Sequence, residues 1–484
     1  MVLKNLQPAS FFKFFEEISR IPRGSGNEKA VSDFIAEFAR GKGLRVEQDG
    51  FHNLIIYKPA TPGYEGREPV ILQGHLDMVC EKNRETVHDF LKDPLKLRID
   101  GDFISAEGTT LGADDGIALA AGMALLDAGD IAHPPLEVVF TADEEAGMSG
   151  AENLNAKLLR GRRLINMDTS HEGTFFSGCA GGVRALLTLP VEREPAAEGS
   201  AFIKMEVSGL KGGHSGEDII LDRGNSLRIL SRLLVQLEKA AVDFRTLSAS
   251  GGMKINAIPR EAEAVVAVPQ DDADAVFKIA EAFTKELANE YRVSDPKVKI
   301  GCARVDKTDA AHTITREGTR KLIAALLLLP NGVLGMSQDI PGLTETSCSV
   351  GVLELNENAA EIHIMPRSSV MSRLQAVKEQ ISKAGEVLNA KVSFSHEYPG
   401  WEYDSGSALR KTAAEVYRGL YGKEPVVTAV HGGLECGLFA GKMPGVDMIS
   451  FGPNATGAHT PDERLSISST ARVWTFLTAL LKNL

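Results

Sequence analysis

A histidine and an aspartate two residues apart, His75 and Asp77, close the apolar run Pro69-Val70-Ile71-Leu72. If that run is a strand, its period of two points both side chains to one side of the sheet. A metal-binding imidazole commonly hydrogen-bonds a carboxylate through its second nitrogen, so the spacing suits a ligand and the group that orients it. His-x-Asp alone is a weak signal, and it gains weight from four further clusters. Asp114-Asp115 open an alanine-rich helix predicted over residues 117–126, where two aspartates could equally be a helix cap. Glu144-Glu145 follow a predicted strand, Leu136–Thr141; they could form a solvated turn, or divide so that one binds metal and the other acts as a base. Asp168 ends a third predicted strand, 164–167. His459 stands in the Gly-containing loop 456–463, where a histidine is more often plain polar surface. Ligands of open α/β sheets gather at the carboxyl ends of strands, and here separate strands deliver His75, Glu145 and Asp168 to that edge.

The elements that must position these groups read as α/β in the first part of the chain. Phenylalanines 11, 12, 14 and 15 fall in a helical pattern, and a second helix places Ala30, Val31, Phe34, Ile35 and Phe38 on one face. Apolar strands alternating with helices predict a mixed, mostly parallel sheet covered on both sides. The pattern changes after Gly181-Gly182. Ala201, Ile203, Met205 and Val207 then alternate with polar positions, as in a sheet with one wet face. Strand, helix, strand, strand, helix, strand can be read from residue 202 to 300, and a similar succession follows over 316–395. These predict an inserted α+β lid domain of two related units. The expected domains are a discontinuous catalytic domain, residues 1–183 and 397–484, and a lid, residues 184–396.

At 484 residues the chain is too long for one ordinary core. A net charge of -12 argues against nucleic acid or an anionic membrane as the main partner. No secretory signal is visible, and the longest apolar run, 322–329, is too short to span a bilayer. The five cysteines have no Cys-x-x-Cys spacing, which argues against a disulfide framework or thiolate zinc site. A cytoplasmic location is the expectation.

Taken together, the five clusters resemble the M20 family of metallopeptidases over essentially the whole chain, nearest its aminoacyl-histidine dipeptidase branch. Further matching stretches are Gly178-Cys179-Ala180-Gly181-Gly182, Gly212-Gly213-His214-Ser215-Gly216, Asn256-Ala257-Ile258-Pro259-Arg260 and Gly433-Leu434-Glu435-Cys436-Gly437. The resemblance implies a zinc-peptidase-like catalytic domain holding two divalent metals, zinc first, with manganese or cobalt as alternatives. Asp114 would bridge them. His75 and Asp168 would complete one site, Glu145 and His459 the other. Glu144 would be the general base and Asp77 the partner of His75. Asp115 departs from the asparagine common at that position. His214 would stabilise the oxyanion, with Asn256 and Arg367 as weaker candidates for holding the substrate carboxylate. The implied activity is hydrolysis of unblocked dipeptides, with Xaa-His favoured and β-Ala-His included. A broader di- or tripeptidase, an N-acyl amino acid deacylase and an inactive peptide-binding relative are the alternatives. The duplicated lid leaves monomer and homodimer both open.

Overall fold

The computed structural model describes residues 2–306 and 311–484. The described chain divides into two compact units. The first comprises the residues through Cys179, Trp401–Ala429 and Leu434–Leu484; the second comprises Ala180–Gly400 and Val430–Gly433.

The first unit is built on an eight-stranded mixed sheet. Its four central strands, Leu136–Thr141, Val70–His75, Arg163–Asn166 and Asp447–Ser450, run parallel in that spatial order. The first two are buried at every position, the reason they read as unbroken apolar runs. Antiparallel strands flank them, among them Leu54–Lys58 beside Leu136–Thr141 and Thr174–Cys179 beside Asp447–Ser450. The helix Ala113–Asp127 is buried almost all round. Its alanines let it run close against the sheet: a Cβ on Gly74 would lie 2.1 Å from the Ala118 Cβ. Helix Ala9–Ile18 buries Phe11, Phe12, Phe14, Phe15 and Ile18 in the same core. In helix Lys29–Gly41 the inward face centres on Val31, Ile35 and Ala39, with Phe34 and Phe38 partly buried. Ala30, expected on that face, is exposed, because the helix is rotated toward its small residues. Where the sequence departs for the second unit, Cys179 and Trp401 exchange backbone hydrogen bonds of 2.9 and 3.0 Å.

The second unit contains a nine-stranded sheet. One half takes Ser200–Ser208, Arg245–Gly251, Ala262–Pro269 and Lys299–Val305 with helices Ser226–Lys239 and Ala273–Glu290. The other takes Thr344–Leu355, Ala359–Ser368 and Lys391–Tyr398 with helices Arg316–Leu328 and Met371–Leu388. Its first strand, however, is Gly181–Pro190, which precedes the whole first half. Both halves place their strands in the spatial order 4-1-3-2, and they join through strand two of each, Arg245–Gly251 against Thr344–Leu355. The halves are nested where the sequence pattern suggested a simple succession.

Candidate metal centre

The carboxyl ends of the central strands gather the predicted groups of the first unit. His75 is the last residue of its strand, and Glu144-Glu145 begin a short helix three residues beyond Thr141. Asp168 lies two residues past Asn166, and His459 sits with φ 64° in the loop beyond Asp447–Ser450. Asp114 departs from helical geometry at the start of its helix, and the peptide joining it to Asp115 is cis.

Asp114 is the meeting point. Its Oδ1 lies 3.0 Å from His75 Nε2 and its Oδ2 3.5 Å from His459 Nε2, while His459 Nε2 is 3.0 Å from Glu145 Oε1. Among the described residues, three combinations bring one donor atom from each residue within 4.8 Å of the others: His75, Asp114 and Asp168; His75, Glu144 and Glu145; and Asp114, Glu145 and His459. Asp77 Oδ1 faces His75 Nδ1 at 3.3 Å and also accepts the Glu144 N–H at 3.0 Å. Its other oxygen accepts the Glu145 N–H and the Ser25 hydroxyl. Asp77 thus fixes the imidazole and the Glu144-Glu145 helix together. Burial opposes its ionisation, but the His75, Ser25 and Glu144 contacts win and hold it at about 2.

The adjacent aspartates have divided the work that the sequence left open. Asp114 turns into the cluster, while Asp115 turns away from it and accepts the Ala118 N–H at 3.1 Å within the first turns of the helix. Burial and then the charge of Asp114 raise Asp115 to about 8.

Asp114, Glu144, Glu145 and Asp168 bring four carboxyl groups against two imidazoles. Burial and the neighbouring Asp114 and Glu144 charges lift Asp168 well above its ordinary value; burial, with Glu435, Glu145 and Asp114, does the same to Glu144. Excess negative charge in a half-buried cluster of oxygen and imidazole donors is what divalent cations neutralise, so these residues fit such ions.

Other buried groups escaped sequence reading. Glu435, 1% exposed, accepts from Gln73 Nε2 at 2.5 Å and Thr141 Oγ1 at 2.6 Å. Asn166 Nδ2 donates to Gln73 Oε1 at 2.7 Å, and Ser450 Oγ donates to Asn166 Oδ1 at 2.5 Å. This chain of bonds crosses the four central strands just below His75 and Asp168 and pins their mutual register. Arg23 and Glu463, also buried, grip the loop before Asp114. Glu435 and Glu463 lie in motifs noted above, but no local signal marked either as buried.

In the second unit, His214 pairs with Ala257 across a two-residue ladder, and Asn256 accepts the Ser215 N–H at 2.9 Å. His214 Nδ1 accepts the Glu217 N–H at 3.1 Å, leaving Nε2 as the donor of the neutral ring. Arg367 is buried and donates to Tyr398 Oη at 2.8 Å. A Cβ on Gly216 would meet the His431 carbonyl oxygen at 2.2 Å, His214 Cε1 at 3.1 Å and Arg367 Cδ at 3.3 Å. His214 and Arg367 are therefore neighbours around that glycine, together with His431, which the sequence reading missed. Burial, then the Arg367 charge, pushes His431 down to about 3; its Nε2 lies 2.7 Å from Ser347 Oγ.

An α/β fold with imidazoles and carboxylates converging at its strand ends is that of a metal-dependent hydrolase. The chain belongs to peptidase family M20/M25/M40, whose family model matches residues 71–483. It is 40% identical over 482 residues to the cytosol non-specific dipeptidase of Escherichia coli K12, covering 100% of this chain and 99% of that protein. The crystal structure of aminoacylhistidine dipeptidase from Vibrio alginolyticus superposes with a TM-score of 0.93 at 38% identity, covering 100% of this chain and 98% of that one. A Staphylococcus aureus tripeptidase shares the fold, with a TM-score of 0.61 at 17% identity over 99% and 98% of the two chains.

Proposed function

We propose that this protein is a cytosolic dinuclear-metal dipeptidase acting on unblocked dipeptides. The observation that carries the reading is the convergence on Asp114 of two donor groups from separate strands and loops, His75 with Asp168 and Glu145 with His459. Those five residues would hold two zinc ions, which when bound polarise the scissile carbonyl and acidify the attacking water. Glu144 takes the water proton on its carboxylate and passes it to the departing amine nitrogen. Asp77 keeps Glu144 and His75 in place through the contacts already described. His214 offers its Nε2–H to the developing oxyanion, and the Arg367 guanidinium, with Asn256, holds the substrate carboxylate.

Two specificities compete within this reading. The branch resemblance favours Xaa-His substrates, and the likeness to a non-specific dipeptidase favours a broader range. A panel of β-Ala-His, other Xaa-His pairs, unrelated dipeptides and an N-acetyl amino acid decides. We expect cleavage of the free dipeptides, loss of activity on chelation and recovery with zinc. Activity confined to the N-acetyl compound would overturn the dipeptidase reading, and full turnover without metal would overturn the mechanism.

A further inference from the structure

The loop Leu111–Asp114 has no cap of its own. Its amides sit at the start of a helix, where backbone donors lack intrahelical partners. The residue at the cap position is Gly112, which has no side chain and stands at φ +66°; a Cβ there would come within 2.6 Å of both Arg23 Nη2 and Met78 Sδ.

The cap comes from 350 residues away. Glu463, 2% exposed, takes the Leu111 and Gly112 N–H groups on Oε2 at 2.7 and 2.9 Å, and the Ala113 and Asp114 N–H groups on Oε1 at 2.8 and 3.4 Å. The other face of the loop meets a buried cation. Arg23 donates to the Gly112 carbonyl, and through Nη1 to the carbonyls of Leu76 at 2.9 Å and Asp77 at 2.7 Å. One peptide segment is thus held between a carboxylate and a guanidinium, each making charge-assisted bonds of about twice the ordinary strength.

Glu463 is also the foot of the His459 loop. Thr460 N donates to Gly457 O and Glu463 N to Thr460 O, both at 3.1 Å, which closes the loop tightly between the histidine and the glutamate. The side chain that caps the Asp114 helix is therefore rigidly joined to the segment carrying His459.

We infer that Glu463 is a positioning residue that sets Asp114 against His459, with Arg23 setting the same loop against His75 and Asp77. The inference rests on the metal-site reading, and its test separates the two. Glu463→Gln exchanges an acceptor for a donor facing the loop amides. Glu463→Asp keeps the charge but is one methylene shorter. Leu477→Ala, a core change in helix Ile467–Asn483, controls for general destabilisation. Two quantities are read: amide exchange of residues 111–114 in metal-free protein, and zinc affinity by chelator competition. In Glu463→Gln we expect those amides to exchange at least about tenfold faster than in Leu477→Ala, and zinc affinity to fall about 10–100-fold. Glu463→Asp should fall between wild type and Glu463→Gln in both. Exchange and affinity in the Glu463 variants no different from the control would overturn the inference. If the wild type binds no zinc, the metal reading fails, while the exchange rates still decide the clamp.

Discussion

Replacing Glu435 by glutamine should stabilise the metal-free protein above neutral pH and barely change it near pH 4.5. Burial lifts this carboxyl from its ordinary 4.5 to about 7, although His75 and the Thr141 and Gln73 hydrogen bonds pull the other way. A carboxyl raised in the fold binds more protons folded than unfolded between those values, so stability falls as pH climbs through that window. The penalty is nearly absent below 4.5 and fully present above about 7. A rise of about 2.5 pH units at about 1.4 kcal/mol each makes it about 3 kcal/mol at pH 8. Glutamine can keep an acceptor oxygen for both Gln73 and Thr141 while removing the charge. The first unit has about 260 residues, so at about 2.1 cal/mol/K of unfolding entropy per residue its Tm should rise by about 5 °C. Thermal scans of chelator-treated wild type and Glu435→Gln at pH 8 and pH 4.5 measure it. A variant less stable than wild type at pH 8, or a difference independent of pH, would refute the claim that the cost of burying the charge dominates here.

The two other predictions concern chemistry. Glu144→Ala should abolish dipeptide turnover and leave zinc content largely intact by elemental analysis; loss of both ions would contradict its role as a base that is not a ligand. His214→Ala should lower kcat by about 10²–10³, the usual cost of losing an oxyanion donor, and an unchanged kcat would remove it from the reaction.

The ligand-bearing strand ends were legible because an unbroken apolar run and the acid or histidine at or just past its end are local features. Leu136–Thr141, with Glu144-Glu145 after it, could be read from about ten residues of sequence. The nested halves of the second unit could not, since Gly181–Pro190 finds its ladder partner in Ala359–Ser368, far along the chain. Glu463, Arg23 and Glu435 were illegible for a related reason. A lone charged residue ordinarily belongs at the surface, and what permits burial here is a set of backbone groups or amides supplied by distant segments. The same holds for His431, which comes to share the surroundings of Gly216 with His214 and Arg367 only after folding.

The mutual hydrogen bonds of Cys179 and Trp401 make them a paired position of an antiparallel ladder, with Cα atoms about 5.5 Å apart. To the rest of the first unit, everything from Ala180 to Gly400 is topologically the loop of a hairpin. Closing a flexible loop costs only about 0.6 kcal/mol more for each doubling of its length. A module of any size could therefore be exchanged at this doorway without shifting the register of one central strand. The proposed metal ligands His75, Asp114, Glu145, Asp168 and His459 all lie outside that loop, so the strand ends that carry them stay fixed whatever the loop presents to the substrate.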